Sequence, residues 1–451
     1  MIILLIFIAF LAWMGELWRR LLGPASRRGL DWLWSFGIGS SLWTYGLFLL
    51  NSLGLRLTIP ALLGWAFLAA GAPLLIARSR ARSQTPSLPA PPAEDIPLAM
   101  KAACLALLTV AIATACLQAV ELPLYHWDAL VLYGFKAKIL FNRGTFLVPD
   151  FLDKTIAHPN TDYPLLIPYL EATLYRLWGR VDERLIRLLF MGYWLAFLGL
   201  AFEGLRERLS TGWSLGLTAV LATLPLFSAD DGTQAVSGYV DIPFAFYWLA
   251  ALLGLARFQS SRDKAWIPLV LLFLGGCVFT KPHGIPLSAA ALWLMLRADR
   301  GCRKAALLQA ALFLLILAPW LWTRGRLPHN VDYAPREISA AMLAPALQRL
   351  PSVLLAIARE LVRWPAWGLF WLVVAVGLAG SALKNRPGGG LSLLLQAMLL
   401  QLLIYVAAYL AAPNELGPLL SVTLSRLFIH LAGPAVVALG WAASDEPPSP
   451  A

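Results

Sequence analysis

Five short constellations in this 451-residue chain carry side chains suited to acid–base or anion chemistry. The first, Tyr125-His126-Trp127-Asp128, follows an apolar run and opens a helical stretch. A carboxylate there can act as a general base or hold a metal, and it can equally cap the helix. The second is His158-Pro159-Asn160-Thr161-Asp162-Tyr163-Pro164-Leu165-Leu166. Its prolines stiffen a loop leading into an apolar helix that ends near Trp178, with Asp162 as a site acid or a cap. The third, Gly238-Tyr239-Val240-Asp241-Ile242-Pro243, puts an acid at the mouth of an apolar span, again a functional candidate or a cap,. Asp230 and Asp231 nearby read as solvated loop charges. The fourth, Thr280-Lys281-Pro282-His283-Gly284, breaks two apolar runs; Lys281 is placed to hold a phosphate or to snorkel to the interface,. The fifth is Thr423-Leu424-Ser425-Arg426-Leu427, with His430 one turn on. An Arg near a helix N-terminus opposes the dipole unless an anionic ligand, or an acid such as Glu415, compensates it.

These residues sit in an extremely apolar chain. It is 59% hydrophobic and 14% charged, against about 25% charged in a soluble domain,. Its mean hydropathy is +0.69. The apolar residues gather into stretches of about 17–22, long enough to cross roughly 30 Å of hydrocarbon as helices. Thirteen spans are predicted, near 2–22, 33–53, 58–77, 98–119, 184–204, 212–228, 241–258, 265–281, 284–299, 304–322, 365–383, 391–411 and 425–443. The fold class is an all-α polytopic membrane protein of about thirteen transmembrane helices.

Two further stretches read as amphipathic surface helices lying in the interface plane. In 127–142, Trp127, Val131, Phe135 and Ile139 form a stripe with Lys136 and Lys138 off it. In 343–364, Leu343, Leu347, Leu350, Leu354, Ile357 and Leu361 do so with Arg349, Arg359 and Arg363 elsewhere.

Orientation follows from the basic residues of short loops. Arg19, Arg20, Arg27 and Arg28, then Arg78, Arg80 and Arg82, Arg206 and Arg208, Arg257, Arg262 and Lys264, Arg297, Arg300, Arg303 and Lys304, and Lys384 and Arg386 alternate with the spans and are expected in the cytoplasm. The segments 120–183 and 323–364 and the loop 228–239 then face outward, and all five histidines (His126, His158, His283, His329 and His430) and most acids fall in these segments or near outer helix ends. The net charge of +11 is accordingly a topology signal, and no basic run of nucleic-acid type occurs,. The first twenty residues reverse the order of a cleaved signal and read as a retained helix with its N-terminus outside.

Residues 1–77 hold three leading spans, 78–97 a Pro/Ala/Ser-rich linker, 98–325 the module with the large outer loop, 326–443 the second outer segment and last spans, and 444–451 a disordered tail. Cys104, Cys116, Cys277 and Cys302 have no zinc spacing, and P-loop, GxSxG, HExxH and CxxC motifs are missing,.

The order of motifs resembles the GT-C glycosyltransferases, polytopic enzymes that use polyprenyl-phosphate sugars. They include protein O-mannosyltransferases, lipid A aminoarabinose transferases and lipopolysaccharide-core transferases. Trp127-Asp128 is similar to that family's first-loop acid, Tyr163-Pro164-Leu165-Leu166 to its Pro-Leu motif, and Gly179 with Glu183 to Arg187 to the turn and helix start that follow. Val240-Asp241-Ile242-Pro243 is similar to its second acid, Thr280 to Gly284 to its Thr-Lys-x-x-Gly break, and Ser425-Arg426 more weakly to a later element. Where many members carry a second acid beside the first, Ala129 follows Asp128, and Asp162-Tyr163 stands where some members have a Lys.

The resemblance implies a donor sugar on a polyprenyl phosphate, a glycan, lipid or protein acceptor, and a site on the outer face of the inner membrane. It implies Asp128 as base and Lys281, Arg426 or a loop Arg such as Arg324 as phosphate ligands. Asp162, Tyr163, Asp241 and His283 then bind substrate, and Asp128 and Asp241 are candidate ligands of a divalent metal ion. A multi-pass transporter or lipid-linked-sugar flippase is the competing expectation, and would need a polar path across the membrane. A non-catalytic assembly subunit would tolerate Ala at the acids.

Overall fold

A computed structural model of the protein describes residues 1–24, 30–77, 95–153, 160–228, 235–298, 301–328, 343–384 and 388–444. The predicted loop acids Asp230 and Asp231, the histidines His158 and His329, the linker up to 94 and the tail from 445 lie outside them.

Among the described residues every regular element is helical. The chain runs α1 (Ile2–Leu22), α2 (Asp31–Ser52), α3 (Ile59–Ala77), α4 (Leu98–Glu121), a π-helical turn (Asp128–Gly134), α5 (Phe135–Arg143), α6 (Pro149–Leu152), α7 (Leu166–Trp178), α8 (Arg187–Leu205), α9 (Thr211–Ala222) and α10 (Pro225–Ser228). It continues with α11 (Asp241–Ser261), α12 (Trp266–Thr280), α13 (Gly284–Ala298), α14 (Arg303–Arg324), α15 (Leu343–Leu361), α16 (Trp364–Trp367), α17 (Phe370–Lys384), α18 (Gly389–Ala411) and α19 (Leu416–Ala443).

Among the described residues nine helices are long and apolar enough to cross a membrane; α9, α12, α13 and most of α17 are apolar but shorter. The chain is thus a multi-pass helical membrane protein. α11 is its axis: nearly all its side chains are buried, from Asp241 to Phe258. α4 and α14 are peripheral, exposing Leu105, Leu107 and Val110, and Leu308, Leu312, Leu315 and Ile316. Helices with that much apolar exposure are stable only with lipid around them.

The three leading helices are built into the bundle. Tyr247 of α11 donates to the Gly37 carbonyl at 3.1 Å, and Trp43 Nε1 to Thr173 of α7 at 3.1 Å. Asp95 accepts from Ser210 Oγ at 2.9 Å and the Gly212 N–H at 2.8 Å, which ties the start of α4 to that of α9.

Three expectations are refined. The 127–142 stretch begins as a π turn, which takes up an extra residue and breaks the i,i+4 stripe,. Lys136, expected off the apolar face, is fully buried, while Trp127 is 65% exposed. The 212–228 stretch divides before Pro225 into α9 and α10. α19 starts at Leu416, because no helix breaker follows Pro418 in the first turn; Arg426 therefore lies in its interior, about 15 Å from its start at 1.5 Å per residue,.

One buried group stands apart. Glu171 of α7 is 1% exposed, and neither carboxyl oxygen has a hydrogen-bond partner among the described residues. Burial pushes its carboxyl up from 4.5 to about 8, with Lys138 opposing and Glu183 adding to the rise. A raised carboxyl favours the folded state fully below 4.5, and that contribution is lost as pH climbs through 8. Detergent-solubilised protein should melt at progressively lower temperature from pH 5 to 8, and Glu171→Gln should flatten that slope; parallel profiles for the two proteins would reject the assignment.

Candidate functional site

Asp128, Asp241, Lys281 and Arg426 are far apart in sequence and meet at one end of the bundle. Arg426 is the bridge. Its Nη2 donates to Asp128 Oδ2 at 2.5 Å, and its Nε to Asp241 Oδ2 at 3.0 Å. Lys281 Nζ donates to the other oxygen of Asp241, and His430 Nε2 stands 3.2 Å from that same oxygen. Asp241 is 1% exposed, Lys281 and Arg426 7% each. Only Asp128 reaches outward: its side chain is 17% exposed, and Oδ1 has no partner among the described residues.

Each member is positioned by a local break in helix. Asp128 begins the π turn that follows α4, a distortion common at functional sites,. Asp241 is the first residue of α11; Val240 occupies the cap without a side-chain bond, so the carboxylate is left for the cations. Lys281 lies in the joint between α12 and α13. That joint is tight because a Cβ on Gly284 would fall 2.2 Å from the Cys277 carbonyl oxygen. Gly238 brings the two acids together: its φ is +86°, and a Cβ would stand 2.5 Å from Leu124 and 2.7 Å from Ala129, the neighbour of Asp128.

Aromatic and polar side chains surround the quartet. The Arg426 guanidinium lies 4.1 Å over the Tyr239 ring, and His126 packs on the same ring at 5.4 Å. Such a cation–π contact strengthens as water is removed. Below, His430 Nδ1 meets the Tyr405 hydroxyl at 2.9 Å; Gln401 donates to Tyr405 at 2.9 Å and accepts from Trp248 Nε1 at 2.7 Å. His283 packs against His430 at 5.1 Å and Phe244 at 4.6 Å, its buried Nε2 without a hydrogen-bond partner among the described residues.

Asp162 and Tyr163 belong to a neighbouring group. Arg324 reaches Asp162 Oδ2 at 3.3 Å, and the buried Lys136 donates to the carbonyls of Asn160 at 2.6 Å and Tyr163 at 3.1 Å. Burial pushes the Lys136 ammonium down to about 7, against the pull of Asp162. This lysine staples the Asn160–Tyr163 turn, where Asn160 has φ +56°, to the helix that follows Asp128.

Arg426 is balanced by Asp128 and Asp241. Lys281 turns inward to Asp241. Asp128, Asp241, Lys281, His283 and Arg426 share one cluster; Asp162 and Tyr163 belong to the separate group around Lys136 and Arg324. Tyr239, Tyr405, Gln401 and Lys136 were missed. His430 was noted only as a neighbour of Arg426, although the i,i+4 spacing puts both on one helix face. Gln401 and Tyr405 had a weaker signal, polar groups inside an apolar span.

The carboxylates do not suit a divalent metal. Both oxygens of Asp241 and one of Asp128 already face cations, and no group of three His, Cys, Asp or Glu with metal-binding geometry occurs among the described residues.

Compared with protein-family models, curated proteins and solved structures, the chain matches none.

The Gly238 contacts give a test of the assembly. Gly238→Ala should cost about 1–3 kcal/mol, the usual range for a side chain forced to positive φ against close neighbours, read as a lower melting temperature. Adding Ala129→Gly should recover part of it; a double variant no better than the single one would show that the contact with Ala129 is unimportant.

Proposed function

We propose that the protein is a membrane glycosyltransferase of GT-C type, moving a sugar from a polyprenyl phosphate to a glycan, lipid or protein acceptor. The observation that carries the reading is the Arg426 bridge: two carboxylates and two cations in one cluster, with Asp128 Oδ1 unpaired among the described residues and its side chain 17% exposed. Nine helices long and apolar enough to cross a membrane, among the described residues, support a multi-pass enzyme acting at the bilayer. With the basic short loops in the cytoplasm, the quartet lies at the outer surface of the inner membrane. The π turn with α5, and α15, are then the juxtamembrane helices.

Asp128 is the base in this reading. Its open Oδ1 takes the proton of an acceptor hydroxyl as the oxygen attacks the anomeric carbon. The bond from that carbon to the phosphate oxygen breaks on the opposite face, the electron pair leaves with the phosphate, and configuration inverts. Lys281 and Arg426 oppose the charge that grows on the leaving phosphate, where low dielectric makes them effective. Asp241 is their counter-ion. It keeps two buried cations in place between turnovers, when uncompensated burial would cost several kcal/mol each. Tyr239 with His126 offers a ring surface beside Asp128 for the sugar, and Asp162, Tyr163 and His283 are further substrate-binding residues in this reading.

A carrier would need polar groups through the bundle. The chain from Asp241 by His430, Tyr405 and Gln401 ends on Trp248, and from Leu249 to Ala256 α11 is apolar.

The two acids should therefore fail differently. Asp128→Asn should fold and elute like the parent, with a smaller loss of stability than Asp241→Asn because Arg426 keeps Asp241 at 2.9 Å, while losing about 10²–10⁴-fold in transfer from a polyprenyl-phosphate sugar, the usual worth of a general base. Asp241→Asn strands Lys281 and Arg426 and should lose about 3–5 kcal/mol of stability. Undiminished transfer by Asp128→Asn in detergent, assayed by mass spectrometry of the product, would end the base assignment.

A further inference from the structure

The quartet has no cation to spare. Two carboxylates face two cations, so an arriving anion gains little unless another positive group joins them. Arg363, in the joint between α15 and α16, is that group. Its Nη1 donates to Ser425 Oγ at 2.7 Å, so it ends on the residue directly before Arg426. Its own acid is poorly placed: Glu360 Oε2 is 3.6 Å away, beyond hydrogen-bond range, and Oε1 is taken by Trp367 Nε1 at 2.7 Å. The Arg363 side chain remains 44% exposed, whereas Arg426 is buried.

The surroundings say what kind of anion fits. The residues on either side of Arg363 are Val362, 72% exposed, and Trp364, 64% exposed. A cation flanked by outward-facing apolar side chains suits an anion attached to hydrocarbon, with Trp at the depth of headgroups. Hydrogen bonds fix the backbone at this joint. The Arg363 N–H donates to the Glu360 carbonyl at 3.1 Å, and the Arg363 carbonyl accepts from Ala366 at 3.1 Å and Trp367 at 3.0 Å.

We propose that Arg363 and Arg426 form the seat for a lipid-borne phosphate, with Ser425 holding Arg363 until the ligand arrives. An anion in that seat competes with Asp128 for Arg426 Nη2, so phosphate binding loosens the carboxylate for proton abstraction. The base is then released only when the donor is in place. This inference rests on the glycosyltransferase reading and adds to it the phosphate-docking residue and its coupling to Asp128.

The test uses the full chain in detergent and native mass spectrometry with three probes: undecaprenyl phosphate, the matching polyprenol, and inorganic phosphate as competitor. The parent should retain the phosphate lipid about tenfold better than the polyprenol, tenfold being worth about 1.4 kcal/mol. Arg363→Gln should erase most of that preference without changing polyprenol retention or melting temperature, and Arg363→Lys should keep part of it. Equal preference in the parent and Arg363→Gln overturns the inference and leaves the enzyme reading intact. A parent that does not prefer the phosphate lipid overturns the enzyme reading itself. Displacement by equimolar inorganic phosphate overturns the lipid origin of the anion. The coupling has its own readout: the phosphate lipid should speed carbodiimide labelling of Asp128 in the parent and not in Arg363→Gln. Labelling at one rate with and without the lipid in the parent would overturn it.

Discussion

Arg426 held between Asp128 and Asp241 is the contact on which the rest of this structure turns. A guanidinium deep in a helix bundle is tolerable only if its charge is met by nearby acids and its N–H groups by acceptors. Nη2 and Nε find both in the two aspartates. The requirement propagates outward. Asp241 is then over-committed and needs Lys281; Lys281 needs the break between α12 and α13; Asp128 needs the π turn to arrive at the right depth. Four segments from separate parts of the chain are locked by one residue of α19, and none of the four ionic groups could be buried there alone.

The opposite end of α11 carries a second lock of different character. Arg257 donates to Glu203 at 2.7 Å and Glu207 at 2.6 Å, lies 4.8 Å over the Trp34 ring, and Trp34 closes the ring of contacts by donating to Glu203 at 2.8 Å. Sixteen residues, about 24 Å of helix at 1.5 Å each, separate Asp241 from Arg257. Both carboxylates of this second cluster are tied to Arg257, and Glu203 to Trp34 as well, so it fastens α8 to α11 and α2. In the first cluster Asp128 Oδ2 is paired with Arg426, and Oδ1 has no partner among the described residues.

The helices were legible because long apolar stretches have few other solutions. The acids were legible as candidates because charge at a span boundary is costly. Their roles were not. Asp241 and Asp128 looked equivalent, each a helix-mouth acid with capping as the plain alternative, and only the cations around them tell counter-ion from open carboxylate. Arg426 looked like a helix-start residue because the apolar pattern is strongest from Ser425 on, whereas Leu416 to Leu424 continues the same helix. Lys136 looked solvent-facing because an i,i+4 stripe assumes an unbroken α-helix, and a π turn has no clear sequence signature. Tyr239 had no signal: a tyrosine two residues before an acid says nothing of an arginine that arrives from 187 positions later in the chain.

The leading helices had no assigned purpose from sequence, and Asn51 supplies one. This buried side chain at the end of α2 donates to the carbonyls of Leu55 at 2.6 Å and Gly144 at 3.0 Å, and accepts from the Phe146 N–H at 3.2 Å and the Tyr169 hydroxyl at 3.1 Å. It thus satisfies both amide atoms while joining α2, the turn after α5, and α7. α5 extends the π turn of Asp128, and α7 extends the loop of Asp162. The register of both relative to the bundle is therefore set by a helix that contributes no group to the site. A catalytic carboxylate must be held to within a fraction of an ångström, and a surface-lying helix cannot supply that rigidity alone. α2 anchors it through Asn51.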